Sequence, residues 1–242
     1  MRAEPPQGAR RLSFAGGAML LGPRLAGVAA TPALFDPLAG GAQASAVGEG
    51  GRQAAWFVQA GGVPAVLRHY RRGGLVGKLV RQSYLWQGEA RTRPFAEFCV
   101  MARLHAAGLP VPAPLAAAYW RGGLSYRGAL LTERIPGARA LARRLDEPLW
   151  EPAARVIAAL HAQGVWHADL NAYNLLFDAQ DRPWLIDFDR AREGPLSAAQ
   201  RLGNLRRLAR SLEKVAGPQG VAYGQRIMQA YEQCWAALRH AG

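Results

Sequence analysis

Short apolar runs separated by glycine fill the first half of the chain, and a helical period takes over in the second. Residues 18–21, 56–58, 65–69 and 126–132 read as strands, with Ala60-Gly61-Gly62 as a hairpin turn between the second and third. Residues 94–106 read as a helix that brings Phe95, Phe98, Met101 and Leu104 to one face, and Pro110, Pro112 and Pro114 end it. Past Pro136-Gly137 the spacing is helical over 149–163, where Val156, Ile157 and Leu160 share a face and Gly164 is the stop. Two short strands follow, 175–177 and 184–186, around the turn 178–181; then come two closing helices, 197–215 and 221–239. The pattern divides the chain into a tail (1–12), a β-rich lobe (13–133) and a mainly helical lobe (134–242), an α+β architecture.

Half of the 242 residues are hydrophobic, so there is material for a core, and no apolar stretch is long and clean enough to read as a membrane span. The Arg10-Arg11 start has a faint look of an export signal, but its apolar run is short, glycine-rich and closed by Pro23-Arg24. Two cysteines, Cys99 and Cys234, form no disulfide framework or metal knuckle and read as reduced thiols. Thirty Lys+Arg against 17 Asp+Glu give +13, nearly all from arginine, since Lys78 and Lys214 are the only lysines. Such a balance favours an anionic partner. No recognition-helix or aromatic single-strand pattern accompanies it, so nucleic acid is not expected.

The chemistry concentrates in His167-Ala-Asp169-Leu-Asn171-Ala-Tyr-Asn174 and in Ile186-Asp187-Phe188. Asp169 precedes Asn174 by five positions, and Asp187 lies 18 beyond Asp169. The hairpin between them folds the chain back, so Asp187 returns beside Asn174. A carboxylate and an amide oxygen are hard ligands suited to Mg²⁺, with nucleotide phosphates and water completing the octahedron. Asp169 is then free to take the proton of an attacking hydroxyl. His167 reads as packing under the loop.

This set resembles the catalytic loop and metal aspartate of the protein-kinase-like phosphotransferases, H-x-D-x-x-x-x-N followed by D-F. The resemblance implies a two-lobed protein-kinase-like fold, with ATP and Mg²⁺ as cofactors. It gives Gly48-Glu-Gly50-Gly51-Arg52 the place of the phosphate-covering loop and Arg68 the place of the strand lysine. Glu97 is the candidate partner of Arg68 and Glu89 its rival, while Glu133 falls at the inter-lobe hinge, where backbone groups meet adenine. Asp189 stands at the glycine position of D-F-G, and no long activation loop follows, so a constitutively assembled site is expected.

A narrower resemblance is carried by 66–75, by Trp166-His-Ala-Asp169-Leu-Asn171 with Leu185-Ile-Asp187-Phe-Asp189-Arg190, by Thr132-Glu-Arg-Ile-Pro136, and by Asn204-Leu-x-Arg207-Leu-x-Arg210-Ser211-Leu212. These look like the 3-deoxy-D-manno-octulosonic acid (Kdo) kinases of the lipopolysaccharide kinase branch, over residues 17–215. The resemblance implies phosphorylation of a Kdo hydroxyl, the 4-position, on a Kdo–lipid A precursor. It also implies peripheral attachment at the cytoplasmic face of a Gram-negative inner membrane. Arg71, Arg72, Arg190 and Arg192 are candidates for holding the sugar carboxylate; the basic stretch 52–81 and the cluster Arg201, Arg206, Arg207 and Arg210 suit an anionic membrane surface. Two alternatives stand beside this reading: an aminoglycoside-type phosphotransferase, disfavoured because polycations want an acidic pocket, and a pseudokinase scaffold, disfavoured by intact Asp169, Asn174 and Asp187. Oligomeric state is not legible.

Overall fold

The computed structural model describes residues 5–39, 44–46, 55–70 and 83–240. The expected phosphate loop with Gly50 and Gly51, and Arg71, Arg72, Lys78 and Arg81, lie outside the described residues. The chain divides into two compact units: Met1–Arg103 with Ala113–Arg134, and Leu104–Pro112 with Ile135–Gly242. Pro114 therefore falls in the first unit, and the stretch 109–112 groups with the second. A backbone hydrogen bond from the Leu185 amide to the Pro110 carbonyl, 3.0 Å, stitches it there.

The first unit opens with an antiparallel hairpin, β1 (Arg10–Phe14) and β2 (Gly17–Leu21). β1 begins inside the segment read as a tail, because Leu12 and Phe14 pack against the core while Arg11 reaches Glu89. The strands β3 (Ser45–Ala46), β4 (Ala55–Ala60), β5 (Val63–His69) and β6 (Tyr84–Leu85) follow, then helix α1 (Arg93–Ala106), β7 (Pro114–Gly122) and β8 (Ser125–Glu133). Seven strands run in the order β1-β2-β7-β8-β5-β4-β3, and β6 pairs with β8 off this path. β7, which the sequence reading passed over, lies between β2 and β8, and residues 114–119 are all buried. Met19, Leu21, Leu67, Leu115 and Leu131 meet in the core of the unit. Each such leucine stabilises by roughly 1.5–3 kcal/mol when taken fully out of water.

The start of α1 is fixed by two contacts. The Tyr126 hydroxyl accepts the Arg93 amide at 3.0 Å. A Cβ on Gly128 would stand 2.7 Å from Pro94 Cγ, so only glycine lets β8 approach the first turn this closely. Phe95, Phe98, Met101 and Leu104 are buried, as their spacing requires.

The second unit holds β9 (Arg139–Ala140), helix α2 (Trp150–Ala162), β10 (Val165–Trp166), β11 (Leu175–Phe177), β12 (Pro183–Leu185), β13 (Arg192–Glu193) and the helical run α3 (Ala198–His240). α3 is broken by non-helical backbone at Ala216 and Gly217 ahead of Pro218, so the two expected closing helices are its two halves. α2 buries Ala153, Ala154, Val156, Ile157, Ala158 and Leu160. It stops at Gly164, whose φ of +69° and close approach to the Gly194 carbonyl (2.9 Å from a hypothetical Cβ) exclude larger residues. β10 and β13 pair at that stop, Val165 with Glu193 and Trp166 with Arg192. β11 pairs with β12 and β9 in a small three-stranded sheet.

Candidate active site

The β11–β12 hairpin sets the geometry of the second unit's polar cluster. Its turn is built on Asp178, a buried carboxylate that accepts the Gln180 and Arg182 amides at 2.9 and 3.0 Å. The same carboxylate accepts the Arg182 guanidinium at 2.8 Å and the Trp184 indole at 3.0 Å. Burial alone would raise its pKa, but these hydrogen bonds outweigh burial and hold it below the usual carboxylate range. Leu175 pairs with Leu185, so Asn174 and Ile186 face each other at the open end, where the Ile186 amide donates to the Asn174 carbonyl at 3.1 Å. Asp187 is the next residue along the chain.

Asn174 is oriented by its own nitrogen. Nδ2 donates to the Asp169 carbonyl at 2.9 Å, across the five-residue gap. Only the amide nitrogen can donate, so Oδ1 is left as the acceptor atom of that side chain. Asn171 closes the loop from inside, its Oδ1 accepting the Tyr173 and Asn174 amides at 2.8 and 3.1 Å. Asp187 has left-handed backbone, φ +63°. An aspartate there is strained, and strain of this kind collects where a side chain must be aimed. Arg190, φ +62°, sits in the exposed turn after it, and the Arg192 guanidinium lies over the Trp166 ring at 5.3 Å.

His167 ties the two halves of the cluster together. It is fully buried. Its Nε2 bonds the Ile186 carbonyl at 3.0 Å, and its Nδ1 accepts the Asp169 amide at 3.2 Å. A carbonyl can only accept, so the proton is on Nε2 and Nδ1 is free to accept. Burial pushes the imidazole pKa down, against the pull of the Ile186 carbonyl, Asp187 and Asp169, and keeps the ring neutral. The ring also packs on Phe188, centroids 5.0 Å apart. It is a strut under the loop, and Asp169, whose side chain is 59% exposed, is the carboxylate that faces outward.

Beneath the loop lies a part the motifs did not reveal. Asn204 on α3 is fully buried; its Nδ2 donates to the His167 carbonyl at 2.7 Å, and its Oδ1 accepts the His167 amide at 3.1 Å. The same Oδ1 takes His161 Nε2 at 3.2 Å, and His161 Nδ1 takes the Tyr231 hydroxyl at 2.8 Å. Ser211, two turns along α3, accepts the Ala172 amide at 3.2 Å. A buried asparagine on an apolar helix face is the signal that would have found this clamp.

Burial lowers the His161 pKa to about 4. Between that value and the usual 6.5 the unfolded chain binds a proton that the folded chain refuses, so the stability His161 contributes is present above pH 6.5 and lost as pH falls towards 4. The loss is on the order of 3 kcal/mol. Urea denaturation at pH 7.5 and 4.5 should show a smaller acid loss in His161→Phe than in the natural chain, whatever the variant's absolute stability.

In the first unit, Arg68 on β5 pairs with Glu97 on α1, and the Tyr70 hydroxyl donates to the same buried carboxylate. Glu89 is engaged elsewhere: Arg11 holds it with two contacts of 2.7 Å, and the Tyr119 hydroxyl donates to it at 2.8 Å. The rivalry between Glu97 and Glu89 is thereby decided by their partners. Glu133 at the end of β8 pairs with Arg24. Its amide donates to the Ala113 carbonyl, and the Arg134 amide to the Pro64 carbonyl, both at 2.9 Å. Both amides are therefore taken by carbonyls of the first unit.

A left-handed aspartate after the hairpin, an asparagine whose oxygen is left to accept, and an exposed carboxylate five residues before that asparagine make up this polar cluster. The chain matches the lipopolysaccharide kinase (Kdo/WaaP) family over residues 40–238. It is 49% identical over 211 residues to the 3-deoxy-D-manno-octulosonic acid kinase of Stenotrophomonas maltophilia (strain R551-3), covering 84% of each chain. To the proteins of that name from Xanthomonas campestris pv. campestris (strain B100) and Xylella fastidiosa (strain 9a5c) it is 47% and 46% identical, with the same coverage. Among solved structures it is similar to the bifunctional kinase-methyltransferase WbdD, at 20% identity and a TM-score of 0.43, over 83% of this chain and 45% of that one. The chain belongs to the lipopolysaccharide kinase (Kdo/WaaP) family. It is a phosphotransferase, and its elements make an α+β fold.

Proposed function

We propose that the protein transfers the γ-phosphoryl group of ATP to a hydroxyl of 3-deoxy-D-manno-octulosonic acid, the 4-hydroxyl, on a Kdo–lipid A precursor. The observation that carries the chemistry is the Asn174 Nδ2 hydrogen bond to the Asp169 carbonyl, which holds the base and the amide oxygen in one loop. Asp169 takes the acceptor's proton as its oxygen attacks phosphorus and the bond to ADP breaks. Its carboxylate is exposed and therefore reachable by a hydroxyl. Asn174 Oδ1 and the Asp187 carboxylate are hard oxygen donors and fit Mg²⁺. Among the described residues no group of three or more His, Cys, Asp or Glu gathers as a metal cage, and a two-ligand site suits an ion that arrives with its nucleotide. Bound there, the ion would neutralise phosphate charge. Arg68, steadied by Glu97, is the phosphate-binding cation of the first unit.

The acceptor follows from the charge and from the names of the relatives. A sugar acid on a phosphorylated lipid is drawn to a +13 chain, whereas an aminoglycoside is repelled. An acceptor panel tests this: Kdo–lipid A precursor should be phosphorylated, and the precursor lacking Kdo and kanamycin-like polycations should not. Phosphate on the Kdo-free precursor or on an aminoglycoside would overturn the acceptor.

We infer further that the protein works peripherally at the cytoplasmic face of the inner membrane. Among the described residues no helix is long and apolar enough to cross a membrane. Leu124, in the β7–β8 turn, and Leu85 on β6 are 81% and 60% exposed, and the Trp86 amide links their strands through the Leu124 carbonyl at 2.9 Å. The Arg121 guanidinium lies over the Trp86 ring at 4.9 Å. Leucines beyond an arginine–tryptophan pair suit an anionic leaflet. Sedimentation with anionic vesicles should fall steeply with salt, and Leu85→Ser with Leu124→Ser should weaken it about tenfold. Salt-resistant pelleting, or no effect of the double substitution, would count against this surface.

A further inference from the structure

An acceptor that carries a carboxylate must approach a site whose own working groups, Asp169 and Asp187, are carboxylates. Like charges at such range cost several kcal/mol unless a cation stands between them. Arg192 is engaged over Trp166, and Arg201 is spent on the Leu196 carbonyl at 2.9 Å and the Trp235 ring at 4.1 Å.

Arg207 is different. Its Nη1 lies 3.9 Å from Asp169 Oδ1, within ion-pair range and too far for a hydrogen bond. Among the described residues it donates no hydrogen bond, so all five guanidinium N–H groups remain to be used. Its side chain is 42% exposed. Its position on α3 is nonetheless fixed, because Asn204 and Ser211, on the same helix face to either side, bond the loop at His167 and Ala172. The helix thus grips the catalytic loop at both ends and holds an unspent fork against the base between them.

We propose that Arg207 holds the acceptor's carboxylate beside Asp169 and so determines selectivity for a sugar acid; this rests on the acceptor reading above. A guanidinium and a carboxylate meet in two parallel hydrogen bonds, which fix orientation as well as position. A carboxylate held there leaves a hydroxyl of the same sugar within reach of Asp169.

The test compares the acceptor bearing its Kdo carboxylate with the same acceptor converted to the neutral carboxamide, in the natural chain, Arg207→Ala and Arg207→Lys. The natural chain should prefer the carboxylate by roughly 10–100-fold in kcat/KM, the size of a lost charge-assisted contact. In Arg207→Ala the acceptor KM should rise by a similar factor and the preference should fall to near one. Arg207→Lys, which keeps the charge and loses the fork, should restore part of it. A full carboxylate preference in Arg207→Ala, or a fall in kcat alone with the preference intact, would overturn the assignment while leaving the kinase reading standing. Failure of the natural chain to phosphorylate either acceptor would instead remove the reading on which it rests.

Discussion

Asp169→Ala should lower turnover by roughly 10²–10⁴-fold, the usual contribution of a positioned general base, while Mg·ATP binds as before. The Asp169 backbone makes the contacts that hold the loop: its amide goes to His167 Nδ1 and its carbonyl to Asn174 Nδ2. Its carboxylate has Arg207 as its partner, at 3.9 Å. Removing that carboxylate therefore leaves the loop intact and takes away only the proton acceptor. Asp187→Ala should do the opposite, costing nucleotide affinity in a Mg²⁺-dependent way. Calorimetric titration of Mg·ATP into both variants separates the roles, and equal loss of affinity in the two would refute the division.

The second large effect is expected at a residue that touches no substrate. Asn204→Leu deletes a donor to the His167 carbonyl and the acceptor for both the His167 amide and His161 Nε2. Leucine cannot replace any of these, and water has no way in, since Asn204, His161 and His167 are all buried. Each of the three orphaned groups costs about 1–3 kcal/mol, so the variant should lose on the order of 3–9 kcal/mol in urea denaturation. Turnover per folded molecule should also fall, because His167 carries the Asp169 amide and the Ile186 carbonyl on its two nitrogens. A variant as stable as the natural chain would show that the clamp holds nothing.

The hairpin after the 167–174 loop was legible because its signals are local: two short apolar runs flank the turn 178–181. What lay under the loop was not. Asn204 meets His167 across 37 residues, and only the helix face it shares with Leu208 and Leu212 hints that it is buried. β7 escaped notice because its middle is Leu115-Ala-Ala-Ala118, poor in the β-branched residues that mark a strand, and its place between β2 and β8 overrides that weak propensity. The start of β1 escaped for a different reason. Arg10-Arg11 looks like a tail until Arg11 finds Glu89, 78 residues away, while Arg68 takes Glu97. Long-range ion pairs leave no trace in periodicity.

Phosphate should pass from ATP to the Kdo sugar. The most direct measurement uses ATP labelled in its γ-phosphate with Kdo–lipid A precursor, then mild acid to release the sugar from the lipid, and mass analysis of both fractions. The label should leave with Kdo as a single monophosphate, and be absent when the Asp169→Ala variant replaces the natural chain. Label that stays on lipid A, or transfer by Asp169→Ala at the natural rate, would contradict this.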